Sequence, residues 1–292
     1  MIKELEMLGY NGQKLRAISN AASEAPDAIV LLVHGMQEHV DRYRWFAEKL
    51  ENENVYFVGA DLRGHGQNML CGRPGLDNGD IYLNIVEDYK IFIEQLRAQY
   101  AQVPIILFGH SFGSFVSQRF VRDGNSELSK IILCGSSYMN TPIVKSARVI
   151  AAISKLFSGR SADADLIESL SIRSYGKKFE NGNWLTRDGQ IFADYSNDDG
   201  CGCVFPVAFY ESMFSNLPKN YKNIQFDSEV LLISGDKDPV CDFSKGVKKL
   251  EKVYKKRGVK VSLKLYREAR HELLNEINRE EVFEDILSFI KK

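Results

Sequence analysis

Apolar residues fall into two kinds of pattern along this chain. Short apolar segments at Ile29 to Val33, Tyr56 to Val58, Ile105 to Phe108, Ile131 to Cys134, Val230 to Ile233 and Val261 to Leu265 have the length of buried strands. Between several of them the apolar positions recur every three or four residues. Ile85, Tyr89, Phe92 and Leu96 form one such stripe on a polar background, which predicts a helix with a single buried face. Strand-length runs alternating with helical patterns predict an α/β fold: a mostly parallel sheet with helices on both faces. The opening segment differs. "KELEML" and "KLRAIS" flank Tyr10-Asn11-Gly12, and Asn-Gly at that place predicts an antiparallel hairpin at the sheet edge.

From residue 137 to 227 the alternation stops. A helical pattern near Val149 to Phe157 gives way to glycine-punctuated sequence carrying Trp184, Phe192, Tyr195, Phe205, Phe209, Tyr210 and Phe214. Strand order resumes at "EVLLISGDKD". An intervening stretch this long predicts a cap over one end of the sheet, so the expected division is a core of 1–136 and 228–292 with a cap of 137–227.

Composition narrows the class. With 292 residues and 44% hydrophobic content, the chain can bury a large core, which excludes a wholly disordered protein. The net charge is −1, and Lys248-Lys249 and Lys255-Lys256-Arg257 share their stretches with glutamates, so they read as solvated helix faces; no nucleic-acid partner is expected. No apolar run approaches the ~18 residues of a membrane span, and "MIKELEMLGY" lacks the basic-then-apolar order of a secretory signal. Five scattered cysteines (71, 134, 201, 203 and 241) suit a reducing compartment, and the expectation is a cytoplasmic protein. Cys201 and Cys203 form a CxC, closer than a zinc-knuckle CxxC and without a second pair, so no metal is expected there.

Candidate chemistry centres on "FGHSFGS". Gly109-His110-Ser111-Phe112-Gly113 fits G-x-S-x-G, preceded by a strand and followed by the helical "SFVSQRFVRDG" that ends at Gly124. In that setting the serine sits on a strained strand-to-helix turn, and the glycines avoid collisions with neighbouring backbone. A hydroxyl needs a base to act as nucleophile. Of the five histidines, His34, His39 and His65 precede the serine, and His110 adjoins it and should point away from the reacting side. His271, in "REARHELLNE" after the last strand, follows it in the hydrolase order Ser, Asp/Glu, His. The acid should follow the strand Val230 to Ile233. "SGDKDPV" offers Asp236, placed to order its own turn, and Asp238, placed to reach sideways to the histidine; Asp238 is favoured.

With these residues placed, the chain resembles the monoglyceride lipase and lysophospholipase group of the α/β-hydrolase superfamily over nearly its whole length. The motifs are "HGMQEHVDRY" (34–43), "DLRGHG" (61–66), "GHSFG" (109–113), "GDKD" (235–238) and "HELLNE" (271–276). The resemblance implies an α/β-hydrolase fold, Ser111 as nucleophile, Asp238 as orienting acid, His271 as base, and the backbone N–H groups of Met36 and Phe112 as the oxyanion hole. It also places Cys241 beside the acyl pocket. It implies a serine esterase acting on monoacylglycerol, lysophospholipid or similar medium-to-long acyl esters, with no cofactor. Phe112 stands where methionine is common and Ser114 where glycine is frequent; both leave the backbone donor in place. "HGMQEH" lacks the HExxH spacing, and nothing in the sequence puts a third ligand near it, so no metal is expected.

Met139, Ile143, Leu156 and Phe157 are further candidates for the acyl pocket. The apolar cap leaves room for transient contact with a membrane or micelle, though no basic amphipathic helix supports it, and oligomeric state is not legible. Two rival readings remain. One is an aminopeptidase or amidase holding a free amine with cap carboxylates from Asp163, Asp165, Glu168, Asp194, Asp198 and Asp199. The other is a ligand-binding protein of the same fold without chemistry.

Overall fold

A computed structural model describes residues 1–21 and 23–292. Among the described residues eight strands form one sheet: β1 (Lys3–Leu8), β2 (Lys14–Ser19), β3 (Ala28–Val33), β4 (Val55–Ala60), β5 (Ile105–His110), β6 (Leu128–Cys134), β7 (Glu229–Gly235) and β8 (Lys260–Tyr266). Their order is β1-β2-β4-β3-β5-β6-β7-β8; β1, β2 and the β2–β4 pairing are antiparallel, and all pairings from β4 to β8 are parallel. This is the α/β-hydrolase arrangement the motifs imply. The edge hairpin turns at Asn11 and Gly12, both in the left-handed region (φ 58° and 71°), which asparagine and glycine tolerate best.

Side-chain alternation along the parallel strands feeds two separate cores. Leu31, Val33 and Leu107 face one core, shared with α2 (Ile81–Gln99), α3 (Phe112–Asp123) and α9 (Lys245–Lys256) through Tyr89, Phe120 and Leu250. Val30, Leu32, Ile106 and Phe108 face the other, shared with α1 (Arg44–Asn52) and α10 (Arg279–Lys291) through Phe46, Phe283 and Ile286. The α2 stripe read from the sequence is buried in full: Ile85, Tyr89, Phe92 and Leu96 are all in the core.

Between β6 and β7 the chain forms α4 (Pro142–Ser158), α5 (Asp165–Leu170), α6 (Ile172–Gly176), α7 (Gly189–Asn197) and α8 (Val207–Asn216). Helix α4 begins seven residues before the expected pattern. Thr141 caps it through a bond from the Val144 N–H, and Pro142 occupies the first turn, where its missing N–H costs nothing. It rests on α8 through Val144, Ala147 and Ala151, which recur every three or four residues.

Strand order reverses direction around β3: the chain goes to β4 on one side and later to β5 on the other. The carboxyl ends of β3 and β5 therefore diverge into a crevice, the usual ligand position in an open parallel sheet. Close packing at that crevice depends on two glycines. A Cβ on Gly113 would overlap the carbonyl oxygens of Val33 and His34, and one on Gly109 would overlap Ser117 Oγ. Gly113→Ala is expected to lower the unfolding free energy by about 2–3 kcal/mol, since backbone cannot yield as a side chain can. Gly189→Ala, where an added Cβ meets open space, should stay within about 0.5 kcal/mol. Urea denaturation midpoints of the two variants measure the contrast.

Candidate active site

Ser111 joins β5 to α3 with φ 50° and ψ −119°, a conformation that a non-glycine residue rarely adopts. Its N–H donates to the Cys134 carbonyl oxygen of the neighbouring strand at 2.9 Å, and its own carbonyl accepts from the Ser114 and Phe115 N–H groups. The turn is fixed at both ends, so the side chain stands at the crevice rather than in the sheet. Its Oγ lies 2.8 Å from His271 Nε2, and His271 Nδ1 lies 2.8 Å from Asp238 Oδ2. Three residues from separate loops thus meet in one hydrogen-bonded line.

Asp238 is fully buried and held from several sides. Its Oδ1 accepts from the Val240 N–H at 2.8 Å, and its Oδ2 receives both His271 and the Cys241 thiol, the latter at 3.1 Å. Asp236 does not order its own turn as expected: its carboxylate reaches the loop after β8, accepting from the Glu268 N–H at 2.8 Å. Burial opposes ionisation of Asp238, but the charge and hydrogen bond of His271 outweigh it and hold the carboxyl below its ordinary range. Burial likewise opposes protonation of His271, and Asp238 reverses that too, leaving the imidazole above its ordinary 6.5.

His110 does not point clear of the site. Its ring packs 4.9 Å from that of His271, and burial with the neighbouring imidazole brings it down to about 4, so it stays neutral. His34 uses both nitrogens locally: Nδ1 is 2.8 Å from the Gly35 carbonyl oxygen, and Nε2 accepts from the Leu62 N–H. His65 Nδ1 lies 2.9 Å from the Arg63 carbonyl, and Asp61 accepts from the Val40 N–H. The "HG" and "DLRGHG" motifs therefore brace one another beneath the crevice.

A buried charge network missed from the sequence joins the two loops that frame Ser111. Glu38 accepts from the Gly35 N–H, from Tyr43 (2.8 Å) and from Arg42 (2.7 Å), and the Arg42 guanidinium forks onto both oxygens of Glu272 at 2.7 and 2.6 Å. Burial alone would raise the Glu38 pKa; Arg42, helped by nearby histidines, brings it down to about 2. The "E…RY" and "HE" spacings were the available signal, but nothing in them tells which charges pair.

Above Ser111 lies a cleft enclosing about 740 Å³, its open mouth included. Met36 and Phe112 line it, and Phe112 opens α3, where backbone N–H groups have no intrahelical acceptor. Met139, Tyr175, Trp184, Tyr195, Tyr210, Met213 and Phe214 line its far side, all from the 137–227 segment. Phe205 and Phe209 pack instead against His65 and each other.

Four expected pocket residues need correction. Ile143, Leu156 and Phe157 are 81, 79 and 83% exposed, because α4 turns Val144 and Ala151 inward and these three outward. Cys241 is 0% exposed and does not reach the cleft; its thiol is engaged by Ser136 and Asp238 beneath the acid. None of the six carboxylates considered for holding a free amine lines the cleft. Glu168, the buried one, is spent on Gln37, Tyr210 and the Phe205 N–H, and Asp165 pairs with Arg173.

Known proteins resemble the chain over most of its length. A family model described as "Serine aminopeptidase, S33" matches residues 24–278. The chain is 23% identical to a monoacylglycerol lipase of Mycolicibacterium smegmatis, covering 91% of this chain and 88% of the relative. It is 23% identical to the phospholipase YtpA of Bacillus subtilis, covering 91% and 96%. Among solved structures, a thermostable carboxyl esterase of Bacillus coagulans in complex with glycerol superposes with a TM-score of 0.87 at 26% identity, over 99% of this chain and 97% of the other.

Two outcomes follow from the site's electrostatics. A base must be neutral to accept a proton, and His271 is held above 6.5, so the acid limb of kcat/KM should reach half-height above pH 6.5. Asp238→Asn removes the strongest of the groups that raise it, with Glu272 and Glu38 left, so the limb should move to lower pH than in the wild type, and kcat should fall about 10³–10⁴-fold. Separately, N-ethylmaleimide should modify the exposed Cys71 of the native protein and leave Cys241 untouched, because Cys241 is covered and burial pushes its thiol well up. Peptide mass spectrometry reads both sites.

Proposed function

The chain belongs to the serine aminopeptidase family of α/β-hydrolases that this model describes, and from that footing we propose that it is a serine carboxylic-ester hydrolase acting on monoacylglycerol, lysophospholipid or similar acyl esters. The observation that carries the reading is the continuous contact from Ser111 through His271 to Asp238 at the floor of an aromatic cleft.

His271 Nε2 takes the Ser111 proton as Oγ attacks the ester carbonyl. The carbonyl π pair moves onto oxygen, and the N–H groups of Met36 and Phe112 receive the oxyanion. Collapse of that intermediate expels the alcohol, protonated by His271. Water, deprotonated by the same nitrogen, then hydrolyses the acyl-enzyme and restores the serine. Asp238 accepts from Nδ1–H throughout, fixing the tautomer and stabilising the imidazolium.

The cleft supports an acyl substrate better than a peptide amine. Its far wall is built from Met139, Trp184, Met213 and Phe214, and its carboxylates, Glu38 and Glu272, are both committed to Arg42. A free amine would find no uncommitted carboxylate there among the described residues. The exposed face of α4, with Ile153, Leu156 and Phe157, is the surface proposed to meet a membrane or micelle during substrate uptake. Among the described residues no helix is long and apolar enough to cross a membrane.

The purified protein should hydrolyse p-nitrophenyl acyl esters at least tenfold faster, in kcat/KM, than matching amino-acyl p-nitroanilides. Ser111→Ala should lose about 10⁴-fold or more in ester turnover. Preference for the anilides would favour the aminopeptidase reading. Turnover of neither class would favour a binding protein without chemistry.

A further inference from the structure

Two sequence features without a part in the hydrolytic site lie side by side in the fold. They are the second histidine of "HGMQEH" and the "DDGC" run that begins the CxC. His39 stands three residues beyond Met36, and Asp198 and Cys201 lie on the loop between α7 and α8. One donor atom from each of these three side chains lies within 4.8 Å of the others. His39 Nε2 is 2.7 Å from Asp198 Oδ2, and its other nitrogen, Nδ1, faces Asp41 Oδ2 at 3.6 Å.

The loop is built to hold this grouping. The Cys201 N–H donates to the Asp198 carbonyl at 2.9 Å, the Gly200 N–H to Asp198 Oδ1 at 2.8 Å, and the Gly202 N–H to the Gln37 carbonyl at 3.0 Å. A Cβ on Gly200 would come 2.9 Å from the His39 ring, so glycine there lets the imidazole sit against the loop. Cys201 is buried while Asp198 is partly open to solvent, giving a dry sulfur on one side and a route for water and ions on the other.

Imidazole nitrogen, thiolate sulfur and carboxylate oxygen are together the donor set of a tetrahedral zinc-class ion with one position left for water. A carboxylate on the far nitrogen of the ligating imidazole is the usual outer partner of such a site. We propose that His39, Asp198 and Cys201 bind one Zn²⁺-class ion across the seam between the sheet's β3 loop and the 137–227 segment, with Asp41 orienting His39 and water in the fourth position. Binding displaces the Nε2 proton now shared with Asp198 and the Cys201 thiol proton, so two protons leave as the dication enters. Each motif alone lacks a ligand set, so neither points to a metal. Only the folded chain joins them.

Titration with Co²⁺ tests this directly, because a sulfur-to-cobalt charge-transfer band in the near ultraviolet reports thiolate ligation. The wild-type protein should develop the band to saturation at one equivalent and lose it on adding Zn²⁺. Cys201→Ser should abolish the band, His39→Gln and Asp198→Asn should weaken Co²⁺ binding at least tenfold, and Asp41→Asn should weaken it about 10–100-fold. Cys203→Ser should keep it, since the Cys203 thiol turns to the Asp199 carbonyl. Circular dichroism confirms that each variant is folded. No band in the wild type, a band that survives Cys201→Ser, or one lost in folded Cys203→Ser instead would overturn the proposal.

Discussion

The structure depends on one backbone turn. At Ser111 the chain leaves β5 with φ 50° and enters α3 at once, a conformation costing on the order of 1–3 kcal/mol for a side-chain-bearing residue. The turn persists because it is over-determined: Gly113 lets α3 lie against the β3 carbonyls, Gly109 leaves room for Ser117, and the Ser111 N–H is bound to β6. Such strain has a use here. It puts a hydroxyl at the open end of the sheet, beside the first residues of α3, whose amides have no acceptor within the helix.

A hydroxyl so placed needs partners held to a few tenths of an ångström, and these come from loops far apart in the chain. Arg42 is the link between them. It connects Glu38, which holds the Gly35 N–H in the loop before Met36, to Glu272, the neighbour of His271. Such buried charges contribute little net stability, since desolvation offsets most of their attraction, yet removing one partner leaves the others stranded. Their effect is to fix geometry: the loop carrying Met36 and the loop carrying His271 share a single guanidinium. Tyr195, stacked over that guanidinium at 4.8 Å, extends the link into the 137–227 segment.

Much of this was legible in the sequence, for identifiable reasons. Parallel strands buried on both faces read as unbroken apolar runs, so β3, β5 and β7 stood out, and Asn11-Gly12 marked the hairpin through the backbone it permits. The serine turn was legible because its glycines are demanded by backbone contacts. His271 followed from chain order, and Asp238 from its place beyond the end of β7; Asp236, expected to order its own turn, instead binds the Glu268 N–H across to the next loop. The cleft was less legible. Periodicity shows that α4 has two faces but not which one another element covers, and so the pattern leaves open an inward place for Ile143, Leu156 and Phe157, which lie outside. Cys241 was close to the acid in sequence, and only the fold shows that it sits beneath Asp238, away from the cleft. Pairing among Glu38, Arg42 and Glu272, like the meeting of His39 with Cys201, belongs to tertiary structure and leaves no local pattern.

The central claim is that Ser111 attacks while the Met36 and Phe112 amides receive the developing charge. A crystal structure of the protein after reaction with an alkyl fluorophosphonate tests both halves at once. The account predicts phosphorus bonded to Ser111 Oγ alone, with the phosphoryl oxygen within hydrogen-bond distance of both amides. Phosphorus on another residue, or a phosphoryl oxygen turned away from those two N–H groups, would contradict it.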